Sequence, residues 1–119
     1  MARDAPVIET YGGGGFRLSG VRREGSILIL RDEVLPWPVE SMADLALAHF
    51  EPVLAAGAAE VEFVLLGTGV RNALPPRAVR EGLQAAGIGF EFMDTAAATR
   101  LYNLLTSEGR RLAAALIAI

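Results

Sequence analysis

Glycine, threonine, arginine and asparagine fall together in Gly67-Thr68-Gly69-Val70-Arg71-Asn72, and Met93-Asp94-Thr95 forms a second short polar stretch. Hydroxyls, a guanidinium and the free amides of a helix opening after Asp94 are groups that could hold an anion or orient a small polar ligand. The same residues have a plainer use, in which the glycines permit a tight turn and Asp94 caps a helix. A third polar group, Arg100, Tyr102, Asn103, Glu108 and Arg110, lies near the C-terminus. Tyr102 and Asn103 could contact a ligand or partner; equally, Tyr102 could bury its ring, Asn103 bond local backbone and Glu108 pair an arginine.

Other candidates are weaker. His49 has the chemistry of a general base, but it sits on an apolar stripe, and no serine or carboxylate is spaced to complete a catalytic unit. A packed histidine is the expectation. Gly12-Gly13-Gly14-Gly15 lacks the G-x-G-x-x-G spacing, the following lysine and the helix of a phosphate loop, so a flexible strand-to-strand connection is expected. Trp37, between Pro36 and Pro38, is either a core lid or an anchor for another protein.

Composition excludes more than it assigns. The 119 residues include no cysteine, no lysine and one histidine, while all 11 basic residues are arginine. That leaves no thiol nucleophile, no Schiff-base lysine and no multi-histidine zinc site. No catalytic set, metal or cofactor is expected. A formal net charge of -3, with no basic cluster beyond a pair such as Arg110-Arg111, argues against nucleic acid. The longest apolar run, Leu112 to Ile119, is far short of the roughly 20 residues of a membrane span. Met1 to Pro6 has no apolar stretch of the signal-peptide kind, so a cytoplasmic protein is expected. Hydrophobic residues make up 52%, but 20 alanines account for much of that figure.

The elements that would position these residues follow from spacing. Val7 to Tyr11, Phe16 to Val21 and Ser26 to Leu30 read as strands, with Arg22 to Gly25 a turn. Ser41-Met42-Ala43-Asp44 fits a capping box, and Met42, Leu45, Ala46, His49, Phe50, Val53 and Leu54 form the stripe of one amphipathic helix ending at Gly57. Val61 to Leu66 and Ile88 to Met93 read as strands, separated by a helix opened by Pro75-Pro76 and closed by Gly87. A third helix begins at Asp94 or Thr95 and stops near Glu108-Gly109, before a final strand from Leu112 to Ile119. Alternation of this kind predicts an α/β fold in three layers within a single domain spanning residues 1–119. A central mixed β-sheet is flanked by helices, with an N-terminal β-hairpin added to one side. In such sheets ligands bind beyond the carboxyl ends of the strands, where the two polar stretches Gly67–Asn72 and Asp94–Thr95 would face one cleft.

The order of motifs adds a further indication. Gly67-Thr68-Gly69, Leu74-Pro75-Pro76, Gly87-Ile88-Gly89-Phe90-Glu91-Phe92-Met93-Asp94-Thr95, Ala97 to Leu105 with Tyr102-Asn103, and Glu108-Gly109-Arg110-Arg111 through Ile117 follow one another. With Tyr11-Gly12, Phe16 and Leu35-Pro36-Trp37, this resembles the family known as domain of unknown function 498, over nearly the whole chain. Thr99 and Leu101 stand where that pattern has a cysteine and a threonine. The resemblance implies no established enzymatic activity or cofactor, and a role in assembling respiratory complex I for the family's best-understood members. It also implies a C-terminal strand antiparallel to its neighbours; a plain helix crossover would make it parallel, and the expectation follows the resemblance. Matching positions are Gly67, Thr68, Gly69, Asp94, Thr95, Tyr102, Asn103, Glu108 and Arg110, to which Arg71 is added from the loop itself. The expectation is thus a bacterial, non-enzymatic interaction protein with a protein partner, such as subunits of a membrane complex. The alternatives are a small-ligand or weakly catalytic domain using the two loops, and a homo-oligomer.

Overall fold

The computed structural model describes residues 5–119, so the expectation drawn from Met1 to Pro6 that no signal-peptide stretch is present rests partly on residues 1–4 and lies outside the described residues. The chain forms three consecutive antiparallel strands, β1 (Ile8–Gly12), β2 (Gly15–Leu18) and β3 (Val21–Glu24), then the pair β4 (Ile27–Leu30) and β5 (Glu33–Pro36). Strand β6 (Phe63–Gly67), helix α2 (Arg77–Ala85), strand β7 (Gly89–Met93), helix α3 (Thr95–Ser107) and strand β8 (Leu112–Leu116) follow a shorter helix, α1 (Glu51–Ala56).

Three two-residue turns set the early registers. Gly13-Gly14, Ser19-Gly20 and Arg31-Asp32 all have positive φ, and the flanking pairs Gly12↔Gly15, Leu18↔Val21 and Leu30↔Glu33 close directly over them. Turns of this hand match the twist of the strands they join. The glycine run is therefore a tight turn. The expected N-terminal hairpin is corrected to a three-stranded sheet, because Arg22 to Glu24 continue as β3 rather than turning. All four β3 residues are exposed, so the strand has no apolar alternation to betray it.

The larger sheet has the order β5-β4-β8-β6-β7. Strand β8 is antiparallel to β4 but parallel to β6. The implied antiparallel C-terminal strand is corrected accordingly: α3 carries the chain back from β7 as a crossover, and a crossover returns parallel. Every residue of β8 is buried. Its three consecutive alanines let the layers above and below approach the centre of the sheet closely.

One face packs Leu28, Leu30, Val64, Leu66, Ala113 and Ala115 against Phe50, Val53 of α1 and Val79 and Leu83 of α2. The other packs Ile27, Ile29, Leu65, Ala114 and Leu116 against Ala98 and Tyr102 of α3 and Phe16 and Leu18 of β2. The expected three-layer α/β architecture is observed. The helix expected from Met42 to Leu54 is broken into two 3-10 turns, Met42–Asp44 and Leu47–Phe50, before α1. The break itself lies at Leu45 and Ala46, both extended, while Pro52 sits in the first turn of α1, where its missing N–H costs little. Ser41 does not cap the backbone; its hydroxyl lies 3.3 Å from Asp44 Oδ2.

Trp37 is core, 5% exposed, with Nε1 donating to the His49 carbonyl at 2.9 Å. The His49 ring meets Trp37 edge-on, and its Nδ1 accepts from the Ala46 N–H at 3.0 Å. The histidine thus closes a turn.

Candidate functional site

Strands β6 and β7 lie side by side and parallel, so the loops leaving their carboxyl ends must be neighbours. They do meet. The Thr68 N–H donates to the Met93 carbonyl at 2.8 Å, and the Thr95 N–H to the Gly69 carbonyl at 2.8 Å. The Thr95 hydroxyl accepts from the Gly69 N–H at 2.9 Å and donates to the Ile117 carbonyl at 2.8 Å. Ile117 N–H in turn donates to Gly67 O at 3.0 Å. Three chain segments are thereby tied through one fully buried hydroxyl.

Gly67 fits this knot for a steric reason. A Cβ there would stand 2.9 Å from Thr95 Oγ1, 3.0 Å from a Leu116 methyl and 3.1 Å from Thr95 Cα. Thr68, 5% exposed, turns its hydroxyl to the Arg71 carbonyl at 2.7 Å and so fixes the next turn. The amides opening α3 receive an internal anion: Asp94 Oδ1 accepts from Ala97 N–H at 2.8 Å. A carboxylate in that place repels a second anion, while it satisfies the helix end itself. The two stretches come together as donors and acceptors for each other, with Val70 (78% exposed) and Arg71 outside.

The remaining predicted residues lie elsewhere. Tyr102 is inside the α3-side core at 1% exposure, so its ring belongs to the interior and not to a surface. Asn103 holds β1: its Oδ1 accepts from Ile8 N–H at 3.0 Å and its Nδ2 donates to Ile8 O at 2.8 Å. Glu108 is an exposed residue at the C-terminus of α3. Arg110 is at the opposite end of the sheet from the two loops, where its Nε meets Glu62 Oε2 at 3.3 Å and its guanidinium lies 5.4 Å from the Phe63 ring centre.

That end holds what the sequence reading missed. A hollow of about 460 Å³ opens between α3 and the start of β6 and β7, with Leu101, Leu105 and Phe63 as apolar walls and Glu62, Glu91 and Arg110 as its charges. The backbone N–H of Arg111 holds Glu62 below the usual carboxylate range, helped by the Arg110 and Arg111 guanidiniums and opposed by desolvation. The available signal was Glu91, an acid in the middle of the strand read from Ile88 to Met93. Such a residue marks a sheet edge. Among the described residues no group of three or more His, Asp or Glu is placed to hold a metal ion.

The chain is similar to known proteins across nearly all of its length. It is 40% identical over 110 residues to an uncharacterised protein of Rhodobacter capsulatus, covering 92% of this chain and 82% of that one. It is 34% identical over 111 residues to NADH dehydrogenase [ubiquinone] 1 alpha subcomplex assembly factor 3 of Danio rerio, covering 93% of this chain but only 63% of that protein's length. Among solved structures, an outer membrane protein from Bartonella henselae superposes with a TM-score of 0.88 at 31% identity, covering 99% of this chain and 98% of that one. The family profile matches residues 8–117, and the chain belongs to the family described as "Protein of unknown function (DUF498/DUF598)".

Proposed function

We propose that this chain is an interaction domain of the assembly-factor kind, non-enzymatic, bacterial and cytoplasmic, working through protein contacts on subunits of a membrane complex such as respiratory complex I. The observation that carries this reading is the 34% identity to the Danio rerio assembly factor over 93% of this chain. The site geometry agrees with it. The side chains of Thr68, Thr95 and Asp94 are spent on the chain's own backbone, at Arg71, Gly69, Ile117 and Ala97, which weakens the small-ligand alternative. What they expose is the apolar pair Val70 and Leu74, 78% and 69% exposed, beside Arg71. Exposed apolar side chains with an adjacent arginine suit a protein interface.

Affinity capture of the tagged chain from gently solubilised native membranes tests the proposal. The expected result is enrichment of NADH dehydrogenase subunits, reduced at least about five-fold by the double variant Val70→Asp, Leu74→Asp, with no change in melting temperature. Recovery of the bait alone, or of further copies of itself, would refute the assembly reading.

A further inference from the structure

Among the described residues there are four outer strands, and three of them are blunted. The outer side of β1 at Ile8 is capped by the Asn103 amide, which bonds both the N–H and the carbonyl. Strand β3 presents Arg22, Arg23 and Glu24, all exposed. Strand β5 ends in Pro36, with Trp37-Pro38 behind it, and proline removes the donor that an added strand would need. These are the usual devices against edge-to-edge pairing.

Strand β7, Gly89-Phe90-Glu91-Phe92-Met93, carries only one of them. Gly89 N–H donates to Glu62 O at 3.0 Å and Met93 O accepts from Thr68 N–H at 2.8 Å, so residues 89, 91 and 93 turn their main-chain groups toward β6. By alternation, Phe90 and Phe92 turn both N–H and carbonyl away from the sheet. Two hollows straddle this edge. One, of about 460 Å³, has Glu91, Leu101 and Leu105 on the α3 side. The other, of about 370 Å³, has Arg80, Gln84 and Phe92 on the α2 side. The side chains of an added strand would fall alternately into the two.

We infer that the β7 edge receives an extended segment of a partner protein, added as a sixth strand, with a lysine or arginine opposite Glu91 and apolar residues on either side of it. Charge decides the occupant. Among the described residues Glu91 is exposed and has no ion pair, whereas Arg110 in the same hollow is engaged by Glu62. A long cationic side chain can lay its stem on Leu101 and Leu105 and bring its head to Glu91. The residues before and after it then face Phe90 and Phe92, which are half-buried aromatic surfaces. A second copy of this chain fits worse. Two-fold antiparallel pairing with full overlap sets Glu91 directly against its own equivalent, and like charges opposite one another are destabilising.

This inference rests on the reading of the chain as an interaction domain, and the test separates the two. The probe is the peptide acetyl-Ser-Thr-Val-Lys-Val-Thr-Ser-amide, with a counterpart carrying glutamate in place of lysine, titrated into the full chain and followed by amide chemical shifts and hydrogen exchange. In the free protein the Phe90 and Phe92 amides should exchange at least about 100-fold faster than those of Gly89 and Glu91. The lysine peptide should slow Phe90 and Phe92 selectively and bind about five-fold more tightly than the glutamate peptide. Glu91→Lys should reverse that preference without changing the melting temperature. Protected Phe90 and Phe92 amides in the free chain, protection that grows with protein concentration, indifference to the peptide's charge, or no binding would each overturn the inference. If the peptides behave as expected but the membrane capture recovers only the bait, the edge stands and the assembly reading fails.

Discussion

The carboxyl ends of β6 and β7 and the free side of β7 lie within one strand's length of each other, yet they treat polar groups in opposite ways. At the strand ends, the Thr95 hydroxyl, the Asp94 carboxylate and the Thr68 hydroxyl are all engaged by the chain's own backbone. Along the side, Phe90 and Phe92 direct main-chain donors and acceptors outward, and Glu91 has no counter-charge among the described residues. At the place where an α/β sheet most often binds ligands, these side chains seal against the chain's own backbone. Recognition by main chain, which needs no catalytic residue, is what the edge offers. Substitutions at the sealed end should therefore act on stability and those at the edge on binding.

The largest expected effect within the folded body is at Tyr102. Removing this fully buried ring leaves a cavity in the core it shares with Ile8, Phe16 and Leu65, so Tyr102→Ala should cost about 4 kcal/mol in denaturant unfolding. A loss under about 1 kcal/mol would place the ring at the surface and return Tyr102 to the candidate site. Next is Thr95→Val, which keeps the shape but deprives Gly69 N–H and Ile117 O of their partner in a buried place. About 3 kcal/mol should be lost, and Thr95→Ser should recover most of it. Equal losses for valine and serine would mean that packing, and not the hydroxyl, ties the loops.

How far these roles could be read from sequence differs by residue. Asp94 was legible as a cap because capping is local: its carboxylate reaches an amide three residues on. The strand–helix alternation was legible for the same reason. Thr95 and Asn103 were not, because their partners are 22 and 95 residues away and periodicity carries no information on such contacts. Tyr102 falls on the same face as Ala98 and Thr106, four residues to each side and both buried, so helical spacing did contain the answer; the neighbouring Asn103 and Arg100 obscured it. The direction of β8 was legible from the helix before it and was lost by preferring the resemblance. The edge was the hardest part, since strand order depends on which strands pair, and only Glu91 hinted at it.

Asn103 gives a way to make a second open edge. Asn103→Ala frees the Ile8 N–H and carbonyl, and it should cost about 1–2 kcal/mol while speeding exchange of the Ile8 amide. If β1 then begins to self-associate, the amide is a guard as well as a tether. Unchanged exchange at Ile8 would show that the outer side of β1 is protected by something other than Asn103.

The smallest effect concerns the other glutamate of the α3-side hollow. Glu62 lies where Arg110 and Arg111 converge, with the Arg111 N–H 3.4 Å from Oε1 and Arg110 Nε 3.3 Å from Oε2. Its folded-state pKa is held below the ordinary value of 4.5. A depressed carboxylate favours the folded state above the unfolded pKa, and that contribution is lost as pH falls through the folded one. Wild-type protein should therefore exceed Glu62→Gln in melting temperature at pH 6–7, with the gap narrowing as pH drops below about 4.5 and closing in acid. Both arginines are solvent-exposed, so 0.5 M salt should shrink the gap at neutral pH. A gap that persists unchanged into acid would mean that Glu62 acts through its hydrogen bonds as a neutral group. In that case Arg110 would not be occupied by charge, and the contrast with Glu91 on which the partner's cation is argued would lose its basis.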